Sequence, residues 1–345
     1  MGKIKLIILI LFLFSMRTSH GQDVQFSQFY AAPLYLNPAF AGTNEFTRIG
    51  MNYRYQWPGL DYAFNSYSMY MDHYSYDYNS GFGLIINGSR EGLAKLRTDE
   101  IGLVYSYHLK LSEDIVVRVG GQASYVNRNA FFNDLVFGSN IDDSGSSISI
   151  IPGIPVGVPL DVKHSFFDYT FGVLLTSNKT WFGASLHHVT EPNVTFLAEE
   201  ISRLPLKISL HGGYKFWLPS GGIRNPFTNQ FQERSISFAY NYKQQEPFSQ
   251  LDIGTQLYLE PLSFGLWYRG IPTKNSLPNN ESLIGILGIN LPSGLAIGYS
   301  YDFTISQLGL RNSAGAHEIS LRYSFLTSTP NQRNLKSRIN PCFTY

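Results

Sequence analysis

Apolar and polar residues alternate along most of this chain. Between Glu100 and Leu109, the residues Ile101, Leu103, Tyr105, Tyr107 and Leu109 fall on one set of positions. Glu100, Gly102, Val104, Ser106 and His108 fall on the other. Successive side chains of a strand point to opposite faces, so this segment has one apolar face and one polar or small face. The same reading holds for Ile49, Met51, Tyr53, Tyr55 and Trp57 against Arg48, Gly50, Asn52, Arg54 and Gln56. It recurs over 115–125, 206–216, 236–242, 251–259, 295–303 and 319–325, and more weakly over 64–72, 81–87, 168–176, 180–188, 262–269 and 282–291. The alternation predicts an all-β chain: a transmembrane antiparallel barrel of about fourteen strands, each roughly ten residues long.

A soluble β-sandwich alternates too. Two features favour the membrane. One face holds Arg, Lys, Asp and Glu at mid-strand while the other has none over many segments, and Tyr crowds the strand ends as an interfacial girdle would. Connection lengths agree. If residue 46 starts the first strand at the periplasmic side, the turns at 112–114, 177–179, 260–261 and 292–294 all fall on that side and are short. The stretches 127–167, 189–205 and 270–281 fall outside and are long. The connections 72–80 and 218–233 are long for periplasmic turns.

Before the barrel stand two other segments. Lys3 and Lys5, the apolar run Leu6 to Phe14 and the small residues Ser19 and Gly21 predict a signal peptide over 1–21 and a mature chain from Gln22. Residues 22–45 are aromatic, rich in small residues and broken by Pro33 and Pro38, which bar them from joining the barrel as a strand. They are expected as a periplasmic N-terminal segment or a plug, ahead of the barrel at 46–325. The polar, basic residues 326–345 are expected as a periplasmic tail.

Composition narrows the chemistry. Net charge is +1, which gives no electrostatic case for nucleic acid, and charged residues are only 15%, as suits a chain that turns one face to lipid. The single Cys342 can form no internal disulfide. His187 and His188 should point to opposite faces of a strand and so not share a metal. Asp142 and Asp143 lack the spaced ligands of a calcium loop. No local motif singles out a Ser–His triad, a zinc site or a nucleotide loop, so no catalytic residue, metal or cofactor is expected.

The inward charges Arg48, Arg54, Asp302, Glu318 and Arg322 lie on the first strand and the last two. Closing the barrel would bring them together as an ion-pair network at the seam. Trp181, Trp217 and Trp267 take inward positions, which points to an obstructed lumen. A diffusion channel or hydrophobic-solute transporter remains the alternative.

Several segments together resemble the PorP/SprF family of type IX secretion outer-membrane proteins. They are Gln28-Phe29 through Asn37-Pro38-Ala39-Phe40-Ala41-Gly42; Arg54 through Trp57; Phe182 through Asn193; Tyr301-Asp302 with Gly315 through Tyr323; and the tail around Cys342, although that tail reads Asn340-Pro341-Cys342 where the family pattern has Cys before Pro. The resemblance implies a non-enzymatic outer-membrane protein of a secretion and gliding apparatus of Bacteroidota. Its implied partners are a secreted adhesin, held at the surface through the cargo's C-terminal domain, or periplasmic ring and peptidoglycan-binding components. Phe29, Tyr30, Asn37, Pro38 and Phe40 are the partner-binding candidates on this reading.

Overall fold

A computed structural model describes residues 23–44, 47–61, 63–92, 96–130, 163–196, 201–219, 221–222, 224–225, 230–271 and 280–325. The expected signal peptide, Asp142 and Asp143, and the tail with Cys342 lie outside the described residues.

Fourteen antiparallel strands close into one barrel. They are β1 (Thr47–Gln56), β2 (Phe64–Ser75), β3 (Ser80–Glu91), β4 (Leu96–Lys110), β5 (Ile115–Asn129), β6 (Lys163–Ser177), β7 (Thr180–His187), β8 (Lys207–Leu218), β9 (Arg234–Gln245), β10 (Phe248–Leu259), β11 (Leu262–Gly270), β12 (Asn280–Asn290), β13 (Leu295–Thr304) and β14 (Ala316–Phe325). Each strand pairs with its sequence neighbours, and β1 closes on β14 with Arg54 directly opposite Glu318. Burial follows the period of two. On β4, Ile101, Leu103, Tyr105 and Tyr107 are exposed to the lipid side, while Gly102, Val104 and Ser106 are buried.

Most strands run past their sequence-predicted ends. β2 reaches Ser75 and β3 begins at Ser80, so the connection that looked too long has four residues, 76–79. Asn79 turns it with φ +48°. The connection 219–233 stays long. The end at which β1 starts therefore carries mostly tight turns and the opposite end the long loops, the asymmetry of an outer-membrane barrel with its tight turns on the periplasmic side. Among the described residues no helix is long and apolar enough to cross a membrane.

Residues 23–44 lie inside the barrel, not below it. Asp23 sits near the ends of β7 and β9 at the long-loop end, and Gly42 sits beside β2 and β3 at the tight-turn end. The segment thus descends the lumen before turning into β1. Only two short helical pieces form in it, one α-turn at Pro33–Leu36 and one 3-10 turn at Pro38–Phe40. Each has proline at its start, where the fixed φ suits a helix and the missing N–H costs nothing.

Candidate functional site

The lumen is the site, and this plug is what fills it. A peptide buried without a partner strand must satisfy its backbone polar groups on wall side chains. It does so at three levels.

At the long-loop end the wall holds Ser27 and Gln28. The Glu318 carboxylate accepts both backbone N–H groups, at 2.6 and 3.1 Å, and also the Asn52 amide at 3.1 Å. The Ser27 hydroxyl donates to Asp302 and accepts from Arg269 at 3.1 Å and from Arg54. Arg54 bridges Asp302 at 2.7 Å and Glu318 at 3.5 Å. Arg269 bridges Asp252 at 2.9 Å and Asp302 at 3.1 Å, and donates to the Phe26 carbonyl. A β-bulge between Arg269 and Gly270 falls where that side chain turns in. Isolated buried charges are strongly disfavoured, so each of these groups depends on the others.

At mid-lumen Asn37 acts as the anchor. Its amide nitrogen donates to the carbonyls of Val173 on β6 and Ala184 on β7, both at 3.1 Å, while its oxygen accepts from the Ala39 N–H at 2.8 Å. Ser185 donates to the Leu36 carbonyl at 2.9 Å. Phe40 packs on Trp181 and stacks on His211, and Phe29 and Tyr30 pack on Trp267.

At the tight-turn end Arg48 makes a two-pronged pair with Asp72, at 2.9 and 2.7 Å, and donates to the Phe40 carbonyl. Asp72 accepts from the Gly42 N–H, and Ser106 donates to the Ala41 carbonyl. Three wall glycines make room for the plug between mid-lumen and this end. A Cβ on Gly81 would lie 2.0 Å from the Ala41 carbonyl oxygen, one on Gly120 2.4 Å from the Ala39 nitrogen, and one on Gly172 2.0 Å from the Asn37 side chain.

The expected seam network forms in part. Arg54, Asp302 and Glu318 meet, but Arg48 pairs with Asp72 near the other end. Arg322 stands opposite Gly50, four residues along β14 from Glu318 and away from the cluster. Pairing of β1 with β14 fixed which strands were adjacent, not the depth of each residue. Arg269, Asp252 and Asp72 were missed, although each takes an inward position in its strand.

The partner-binding candidates also change meaning. Phe29, Tyr30, Asn37, Pro38 and Phe40 are buried against the wall and stand as anchors, not as an open docking patch. Trp181 and Trp267 fill the lumen, whereas Trp217 lies at the rim, 52% exposed, with Lys215 Nζ 4.1 Å from its ring centre.

His188 departs from expectation. β7 stops at His187, and His188 takes a left-handed φ of +59°, so its ring turns inward instead of to the opposite face. It bridges Asp168 and Asp23, each at 2.7 Å, and Lys207 also reaches Asp23 at 2.5 Å. Burial alone would lower the imidazole pKa. The Asp23 charge and the hydrogen bonds to Asp168 and Asp23 overcome it and lift the value to about 9. Burial would likewise raise the Asp23 pKa, but His188 and Lys207 hold it well below the usual carboxylate range. This latch fastens the start of the plug. Among the described residues no group of His, Cys, Asp or Glu could hold a metal ion. The Ser–His contacts, Ser106 with His108 and Ser185 with His187, face the lumen and bond plug carbonyls.

A closed fourteen-stranded barrel with a lipid-facing apolar belt and a polar, plugged lumen is an outer-membrane β-barrel. The chain belongs to the PorP/SprF family of type IX secretion system membrane proteins, whose model matches residues 18–323. No protein of curated function matches it. Similar solved structures include the toluene transporter TodX of Pseudomonas putida, at 10% identity and a TM-score of 0.45, with 85% of this chain and 93% of that one covered. A FadL homologue of Pseudomonas aeruginosa has 12% identity and a TM-score of 0.40 over 82% of this chain and 90% of that one. CdiB of Acinetobacter baumannii has 9% identity and a TM-score of 0.42 over 81% of this chain and 60% of that one.

Proposed function

We propose that this protein is a docking barrel, exported by a cleaved signal peptide, that acts by protein recognition and not by catalysis. On its outer side it holds secreted type IX cargo, an adhesin engaged through its C-terminal domain. On its periplasmic side it links to ring and peptidoglycan-binding components of the secretion and gliding machinery of Bacteroidota. The family supplies the setting. The observation that carries the docking reading is the plug, fixed at three levels by buried ion pairs and hydrogen bonds. Such a lumen suits a rigid platform better than a pore. Affinity purification from detergent extracts tests it: cargo C-terminal domains or ring components should co-purify with the intact barrel. Their absence, together with steady ion conductance of the purified protein in a planar bilayer, would favour the diffusion channel instead.

A further inference from the structure

We propose that the outside of the barrel wall, on β2–β6, carries a binding site for a phosphate-bearing lipid, the phosphorylated glycolipid of the outer leaflet. Strand register brings the residues together. At the long-loop end Asn65 on β2 stands opposite Arg90 on β3, and Arg90 stands opposite Arg97 on β4. Arg97 in turn stands opposite Asn129 on β5, and Asn129 opposite Lys163 on β6. All five fall on the outward face of their strands, and the three cations are exposed. Neighbouring strands lie about 4.8 Å apart, so the row from Arg90 to Lys163 spans about 14 Å.

The row is unbalanced in charge. Arg90 and Arg97 are directly opposite each other, and like charges so placed repel unless an anion lies between them. Arg97 meets Asp99 at 2.7 Å, and the Tyr67 hydroxyl donates to the other Asp99 oxygen at 3.3 Å. A carboxylate takes at most two of the five guanidinium N–H groups, so Arg97 keeps donors for a further acceptor. Among the described residues no carboxylate lies within ion-pair distance of Arg90 or Lys163. The Asn65 oxygen accepts from the Tyr53 hydroxyl at 2.9 Å, which leaves its amide N–H groups to the row. Asp99 alone does not neutralise the three cations, and the patch stays positive. Elsewhere around the barrel, among the described residues, the outward positions at the outer strand ends hold no Lys or Arg.

Position selects the ligand. On the same strands and the same face, Ile86, Ile101, Tyr125 and Phe167 form a second row, again directly opposite one another. Tyr125 and Phe167 pack edge to face with ring centres 5.6 Å apart, and such aromatic pairs mark the boundary between hydrocarbon and headgroups. The cation row stands four residues further out on each strand. At about 3.3 Å per residue on strands tilted by about 40°, that is about 10 Å above the apolar row. Long basic side chains there reach the headgroup layer. The long loops lie at this end, so the leaflet is the outer one. A soluble anion would use the upper row alone. A lipid uses both, with acyl chains on the Ile and aromatic row and phosphates on the guanidinium and ammonium groups.

The inference does not depend on which protein docks. The test is native mass spectrometry of the full-length barrel in detergent, titrated with diphosphoryl lipid A and with the same lipid stripped of its phosphates. The phosphorylated form should bind saturably, and the stripped form about tenfold more weakly or not at all. The triple variant R90Q/R97Q/K163Q changes exposed positions only, so it should assemble and weaken binding about tenfold. Lys179→Gln, at an exposed cation in a tight turn, should leave binding unchanged. Should the triple variant fail to assemble, Arg90→Gln and Lys163→Gln singly should each weaken binding several-fold. The proposal is overturned by no saturable binding, by equal binding of the two lipids, or by unchanged affinity in the assembled variants. Displacement of the lipid by inorganic phosphate at equal concentration would also overturn it, since the site would then be one for a free anion. A failed cargo purification would leave this titration unaffected.

Discussion

Gly120 and Gly121 are neighbours on β5, and one methyl group on each asks a different question. A Cβ on Gly120 enters the lumen and meets only backbone: the Ala39 nitrogen at 2.4 Å, the Pro38 carbonyl carbon at 2.5 Å and the Ala39 Cα at 2.7 Å. A Cβ on Gly121 faces lipid and meets the Phe171 ring at 3.6 Å, an ordinary contact. For Gly120→Ala the 3-10 turn must retreat by about 1 Å to reach ordinary contact near 3.4 Å. The retreat strains the bonds that turn makes, from Ala39 to Asn37 at 2.8 Å and from Arg48 to the Phe40 carbonyl at 3.1 Å. Overpacking of this kind costs about 1–3 kcal/mol, against about 0.5 kcal/mol or less for the lipid-side methyl. The assay is the heat-modifiability midpoint of the purified barrel on gels. Gly120→Ala should lower it by a few degrees and Gly121→Ala should leave it close to the wild type. Equal midpoints for the two variants would refute the claim that the plug backbone packs directly on this wall.

Other perturbations separate the anchors. Arg269→Met removes the hub shared by Asp252 and Asp302 and leaves both carboxylates without it. The cost of about 3–5 kcal/mol should abolish the heat-modifiable form, and Arg269→Lys should restore it only in part. Trp267, 1% exposed, and Trp217, 52% exposed, should diverge on truncation to alanine. Trp267→Ala should cost about 3–5 kcal/mol, Trp217→Ala about 1 kcal/mol or less, read as the difference in unfolding midpoint. His188→Gln should show a pH dependence with a definite sign. The folded pKa of about 9 lies above the usual value of about 6.5, so the stabilisation is complete below about pH 6.5 and disappears as pH rises through 9. The difference in midpoint between wild type and variant should therefore be largest near pH 6 and vanish above about pH 9.5.

The barrel was legible because a membrane strand declares itself by alternation, and because closure follows once strands pair with their neighbours. Strand ends were less so: Lys163 to Phe167 extends β6 beyond the apolar run that revealed it, with Phe167 64% exposed. Arg54 opposite Glu318 could be foreseen from pairing of the first and last strands. The wider cluster was harder to foresee: Asp252 stands directly opposite Arg269 on neighbouring strands, but Arg269 then reaches Asp302 past the intervening β12, a contact that pairing of adjacent strands does not report. The plug shows the same limit. Pro33 and Pro38 excluded a strand, but nothing local says that a segment of small and aromatic residues runs inside a barrel. The clue is distributed, with Gly81, Gly120 and Gly172 in separate strands and each making room for one part of it. His188 misled because the strand rule was applied one residue past the end of the strand.

Hydrogen–deuterium exchange of the protein in lipid nanodiscs, read on peptides spanning residues 26–42, tests the fixed plug most directly. Amides such as those of Ser27, Gln28, Ala39 and Gly42 are bonded to buried acceptors, so they should stay protected for hours, comparable with the strands themselves. Complete exchange of these peptides within seconds while the strands stay protected would contradict it.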